Sequence, residues 1–368
     1  MKVGDRHFRS IWADAPRARV HIIDQTRLPF AFETRALSTL EEAAEAIRAM
    51  RVRGAPLIGV TAAFGVALAL ERDNSTEGLK RAVATLKATR PTAVNLAWAL
   101  DRVEKKLLPL KALKRTEAAW TEAQAIADED VALNEAIGQH GAKLIEKLWL
   151  KLNRPVNVLT HCNAGWIATV DWGTVTAPLY MAHDQKIPVH VWVDETRPRN
   201  QGLLTAWELA GHGVRHTLVT DNAGGHLMQR GQVDLVMVGA DRVSRKGDVC
   251  NKIGTYLKAL AAQANGVPFY ACVPTPTIDW SVTDALTQIP IEERSPDEVR
   301  FVRGLDAHGV PSEVTIASPA TAVANPAFDV TPAEFVTALI TEKGVFKANE
   351  RDLLGLWPKS HRDQAYLT

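Results

Sequence analysis

The stretch Val156-Asn157-Val158-Leu159-Thr160, followed at once by His161-Cys162-Asn163-Ala164-Gly165, decides how this chain is read. A short, apolar, β-branched run that ends in turn residues is the pattern of a strand buried in a parallel sheet. Four similar runs follow: Val189 to Val193, Thr217 to Thr220, Val233 to Val238 and Phe269 to Val273. Segments long enough for helices alternate with them, at Gly173 to Asp184, Leu203 to Gly211, Ala223 to Arg230 and Lys252 to Asn265. This alternation predicts βαβ units and an open, doubly wound α/β fold.

Upstream of Asn153-Arg154-Pro155 the pattern changes. Val20 to Asp24 reads as a strand, and most of the rest reads as helix. Ser38 with Glu41 three residues on suggests a capping box opening a helix that runs through Met50. The uncharged run Leu57 to Leu70 is rich in Ala and Leu and predicts a buried helix. Thr92 to Leu110, Arg115 to Leu133 and Glu135 to Leu150 read as further helices. The expected organisation is therefore a mainly helical domain over residues 1–152 and a Rossmann-like α/β domain over residues 153–368.

Composition excludes several functions. There are 43 Lys+Arg against 42 Asp+Glu, so no basic excess marks a nucleic-acid binder. The stretch Gly54 to Leu70 contains Gly and Pro and is short for a membrane span. Three cysteines are no disulfide framework, and the expected compartment is the cytoplasm. Neither a P-loop sequence nor a Gly-x-Gly-x-x-Gly after the first strand is present, which disfavours P-loop and dinucleotide enzymes. No Cys-x-x-Cys or His-x-x-x-His spacing accompanies Cys162, so no metal is expected there.

In open parallel sheets, ligands bind beyond the carboxyl ends of the strands. Four consecutive strand ends here carry reactive or charged groups: Cys162, Asp194 to Arg197, Asp221, and Asp241-Arg242. Cys162 lies before a Gly-containing turn, where a following helix N-terminus would stabilise a thiolate. Cys272 sits inside an apolar run and Cys250 beside an expected helix start, so both read as structural. Asp241 reads either as a strand-end carboxylate or as a general acid or base. Arg51-Val52-Arg53-Gly54-Ala55-Pro56 precedes a helix whose first N–H groups favour an anion, and Asn251-Lys252 is expected to open another. Trp166 and Trp172 follow Cys162 closely enough for either to wall a pocket.

Taken in order, the motifs resemble those of the S-methyl-5-thioribose-1-phosphate isomerase family, over nearly the whole chain. They include Val52-Arg53-Gly54-Ala55-Pro56, Thr160-His161-Cys162-Asn163-Ala164-Gly165, Val193-Asp194-Glu195-Thr196-Arg197-Pro198, Val238-Gly239-Ala240-Asp241-Arg242 and Asn251-Lys252-Ile253-Gly254-Thr255-Tyr256. The superfamily also holds the regulatory subunits of the initiation factor 2B exchange factor and ribose-1,5-bisphosphate isomerase. The resemblance implies an aldose–ketose isomerase of methionine salvage, a homodimer, and no metal or organic cofactor. It implies that Cys162 and Asp241 are the catalytic pair. It implies that Arg53, Gly54, Ala55, Arg90, Gln201, Asn251 and Lys252 hold a sugar phosphate. The alternatives are an isomerase of 5-deoxyribose 1-phosphate or ribose 1,5-bisphosphate, and a non-catalytic regulatory subunit. Cys162 and Asp241 together weigh against the last.

Overall fold

Residues 1–14, 19–90 and 93–356 are described by the computed structural model. Their centre is a sheet of seven strands. Across it the order is Gly344–Phe346, Ala338–Thr341, Phe269–Cys272, Leu235–Val238, Val156–Thr160, Val189–Asp194 and His216–Val219. Neighbours are parallel except at the edge, where Gly344–Phe346 runs antiparallel to Ala338–Thr341. Counted along the chain, the six parallel strands stand in the order 3-2-1-4-5-6, the Rossmann arrangement. The chain reverses its direction of winding between Val156–Thr160 and Leu235–Val238.

All five expected strands are present. Ala338–Thr341 and its antiparallel neighbour extend the sheet beyond them. A second sheet of four short strands, Ile278–Asp279, Arg242–Ser244, Val249–Lys252 and Phe328–Thr331, was not expected either. It corrects one reading. Asn251 and Lys252 end a strand rather than open a helix, and the helix begins later, at Thr255. The register Arg242↔Cys250 and the strand Phe328–Thr331 on the other side hold this segment extended.

The first part of the chain is helical around a three-stranded antiparallel sheet, Ile11–Ala13, Val20–Ile23 and Thr34–Leu37. Helix Leu40–Arg48 is capped one residue later than expected. The Thr39 hydroxyl accepts from Glu42 N–H, and Glu42 accepts in return from Ser38 N–H. Helix Ala55–Leu70 is buried along nearly its whole length, which explains its lack of a polar stripe. Pro91 and Thr92, at the start of the helix expected over Thr92 to Leu110, lie outside the described residues; that helix is seen from Val94 to Leu107.

The two helices expected between Arg115 and Leu150 are one, Ala112–Leu152, of 41 residues and about 60 Å at 1.5 Å per residue. Asn134 does not break it. The side chain is buried and its amide donates to the Asp130 carbonyl one turn back, so its hydrogen bonding runs with the helix. The helix ends where the left-handed Asn153 meets Arg154-Pro155. Among the described residues, no helix is long and apolar enough to cross a membrane.

Candidate active site

The crevice at the winding reversal lies between the ends of the first and fourth parallel strands. Cys162 follows the first strand and Asp241 the fourth. The two loops touch: a Cβ built on Gly239 would lie 2.8 Å from the Ala164 Cβ. Both loops open onto one cavity, between the sheet and the N-terminal helices. Every residue that the family resemblance assigns to the site lines it: Arg53, Gly54, Ala55, Arg90, Cys162, Gln201, Asp241, Asn251 and Lys252.

Cys162 takes a left-handed backbone, φ +69°. That conformation costs a non-glycine residue about 1 kcal/mol or more and needs support. Cys162 N–H donates to the Thr196 hydroxyl at 2.8 Å, and its carbonyl accepts from the Thr205 hydroxyl at 2.9 Å. No α-helix follows directly. A three-residue 3-10 turn, Trp166–Ala168, comes next, and the helix starts only at Thr176. The expected stabilisation of a thiolate by a helix end is therefore absent. Burial pushes the thiol pKa up, opposed by the charges of Arg53 and Lys252. The thiol is shut in by protein on most sides yet keeps a face open to the cavity.

Asp241 is set by the hairpin after the fourth strand, where its N–H donates to the Cys250 carbonyl at 3.0 Å. That pairing brings Asn251 and Lys252 beside it. Burial raises the Asp241 pKa, while Lys252, Arg90 and Arg53 pull it down. Lys252 itself is held down by burial, and its ammonium lies 4.8 Å from the centre of the Phe328 ring. The Asn251 amide donates to Thr255 at 3.0 Å.

On the opposite wall, helix Ala55–Leu70 begins without a side-chain cap. Gly54 has φ +97°, and a Cβ there would lie 2.3 Å from the Ala168 carbonyl oxygen. Only glycine brings the uncapped helix start this close to the Cys162 loop. Arg53 donates to the Asn163 side-chain oxygen. Arg53 Nε, Arg90 Nε and Gln201 Oε1 are buried without a partner, and all three belong to residues of this cavity. Buried donors and acceptors are normally paired, so this concentration of unpaired ones marks a place for a polar ligand.

Some neighbours were missed. Arg199 and Arg294 line the cavity, with Arg199 on Glu298 at 2.8 Å and Arg294 on Glu292 at 2.8 Å. Burial pushes Glu298 up, but Arg294 and Arg199 outweigh it and hold the carboxyl at about 2. Asn163 lines the cavity too, and behind it lies Glu208, pushed up by burial to about 7. No spacing rule links residues brought together from separate strand ends and loops.

Other readings are corrected. Trp166 is buried against Trp207 at 6.0 Å between ring centres, and Trp172 packs in the same core, so neither walls the cavity. Met50, Ile58, Ala93, Ile289 and Phe328 supply the apolar wall instead. Arg51 turns away onto Asp24 at 2.5 Å and Glu45 at 3.0 Å. Cys250 borders the cavity but is buried, its thiol pushed up to about 12. His161 spends its ring nitrogens on Asp194, 3.0 Å, and the Ile253 carbonyl, 2.8 Å. With Asp221 these form a cluster of metal-ligand type, drawn from separate strand ends that sequence spacing does not relate. Lys258 puts an ammonium 3.2 Å from Asp194, which supplies a positive charge there.

A family profile described as "Initiation factor 2 subunit family" matches residues 51–348. Methylthioribose-1-phosphate isomerase of Methylorubrum extorquens is 60% identical over 98% of this chain and 100% of its own. The protein of the same name from Acidiphilium cryptum is 59% identical over the full length of both. The crystal structure of 5-methylthioribose 1-phosphate isomerase from Pyrococcus horikoshii OT3 matches with a TM-score of 0.81 at 41% identity, covering 95% of this chain and 96% of that one. A structure named translation initiation factor eIF-2B, subunit delta, from A. fulgidus matches at 0.76 and 40%, covering 93% and 96%.

Proposed function

We propose that this chain, which belongs to the initiation factor 2 subunit family and to its methylthioribose-1-phosphate isomerase branch, converts S-methyl-5-thioribose 1-phosphate to the corresponding ribulose 1-phosphate in methionine salvage. One observation carries the reading: a thiol and a carboxyl face a common cavity from the two strands that flank the winding reversal, among Arg53, Arg90 and Lys252.

The substrate's anomeric carbon carries the phosphate, so its ring cannot open by simple equilibration. Asp241, kept protonated by burial, gives its proton to the ring oxygen as the C1–O bond breaks. Cys162 takes the proton from C2 as its thiolate, the form that the charges of Arg53 and Lys252 favour although burial raises the thiol pKa, and the electron pair forms a C1–C2 double bond. The thiol then returns that proton to C1. The C2 hydroxyl becomes the carbonyl, and its proton restores Asp241. Arg53, Lys252 and the uncapped N–H groups at Ala55 hold the phosphate, which supplies binding energy away from the reacting carbons. Arg90, Gln201 and Asn251 complete the hold on phosphate and sugar. The apolar wall excludes water and keeps Asp241 protonated.

The chain is read as two domains meeting at residues 152 and 153, acting as a homodimer in the cytoplasm. The family resemblance and three unpaired cysteines support the last two points. The test is purified protein with methylthioribose 1-phosphate, 5-deoxyribose 1-phosphate and ribose 1,5-bisphosphate in parallel, product followed by NMR. Conversion of the first in preference to the others is expected. No conversion of any of them overturns the reading.

A further inference from the structure

We propose that Glu208, acting through Asn163, is a positioning residue that aims the Arg53 guanidinium into the cavity. This rests on the isomerase reading above and deepens it. Glu208 is 2% exposed and does not line the cavity. Its two oxygens accept three N–H groups: Asn163 Nδ2 at 3.1 Å, Ile167 N at 3.2 Å and Trp166 N at 3.1 Å. The second hydrogen of Asn163 Nδ2 goes to the Thr205 hydroxyl at 3.1 Å. Thr205 can only accept there, because its own hydrogen is committed to the Cys162 carbonyl.

These bonds leave one orientation for the Asn163 amide. Both N–H groups face Glu208 and Thr205, so the oxygen faces Arg53, which donates to it. With one nitrogen so occupied and Nε buried without a partner, the guanidinium has a fixed plane and an unspent donor. The carboxylate also has no room to shift toward Gly165, where a Cβ would lie 1.5 Å from Glu208 Oε2. Glutamine at 208 keeps the shape but turns an N–H group toward donors that need an acceptor. Asn163 is then free to flip and present its own N–H groups to Arg53.

The experiment is a double-mutant cycle on the whole enzyme: Glu208→Gln, Arg53→Ala and both together, with methylthioribose 1-phosphate as substrate. Glu208→Gln is expected to raise KM roughly tenfold, the size of one lost hydrogen bond to a charged group, with kcat within about twofold. In the Arg53→Ala background the same change should alter KM less than about twofold. A Glu208→Gln effect that persists undiminished without Arg53, or a folded Glu208→Gln enzyme with unchanged KM, overturns the proposal. Should Glu208→Gln not fold, Asn163→Ala serves in its place. It leaves Glu208 its two backbone donors and carries the same expected coupling to Arg53. A wild-type chain that does not turn the substrate over overturns the isomerase reading instead. The cycle is then read on the dissociation constant for inorganic phosphate, with the same two outcomes.

Discussion

Gly54→Ala tests how the cavity is built. At φ +97° a side chain is strained by itself, costing about 1–3 kcal/mol. The added methyl also lies 2.3 Å from the Ala168 carbonyl oxygen and 2.5 Å from Ala168 Cα, both backbone atoms that cannot turn aside. Reaching ordinary contact requires the 3-10 turn Trp166–Ala168 and the start of helix Ala55–Leu70 to part by about 1 Å, an overpacking cost of another 1–3 kcal/mol. Together the loss is about 2–6 kcal/mol, which corresponds to a fall in Tm of roughly 3–8 °C for a chain of this size. Because the same separation moves Arg53 away from Asn163, KM should rise as well. Thermal unfolding followed by circular dichroism reads the first effect, and steady-state isomerisation reads the second. A variant with Tm within about 2 °C of wild type and unchanged KM refutes the close approach on which the site's geometry rests.

Cys162→Ser and Asp241→Asn should each abolish turnover while Tm stays near wild type; near-normal isomerisation by either removes it from the mechanism. Asp130, on the long helix, accepts from Val170 N–H at 2.7 Å and is pushed up by burial to about 7. Between pH 4 and 7 the folded state keeps a proton the unfolded state has lost, so stability falls with rising pH by about 1.4 kcal/mol per unit. Asp130→Asn should therefore match wild type near pH 4 and exceed it by a few kcal/mol at pH 8 in urea unfolding. An equal difference at both pH values argues against it. Trp166→Leu should cost about 3 kcal/mol of stability and leave KM and the preference among the three sugars unchanged; a shift in preference would return Trp166 to the pocket wall.

The parallel strands were legible because burial on both faces forces continuous apolar, β-branched runs, as in Val156–Thr160 and Leu235–Val238. Helices were less so. Asn134 looks like a break, but a buried Asn that bonds back to its own helix does not interrupt it. Asn251-Lys252 looks like a helix start because Thr255 to Ala264 follows, yet two antiparallel neighbours hold it as strand. The four-stranded sheet had no readable pattern, since strands of two to four residues carry too few positions for a period to emerge. Distance along the chain from Cys162 suggests Trp166 and Trp172 as walls, yet Asn163, Ala164 and Ala168 of the same segment line the cavity while both tryptophans pack in the core.

The order of short apolar runs and helix-length segments was enough, from the sequence alone, for a doubly wound sheet with its chemistry at the strand ends. Local residue type and spacing encode both. Which ends come together was a tertiary matter. The order 3-2-1-4-5-6 sets the first and fourth strands side by side, and so Cys162 faces the cavity that Asp241 shares. The Glu208–Asn163–Arg53 chain joins positions 45 and 110 residues apart. Hydrogen bonds and close backbone approach act through space, and no periodicity along the chain records them.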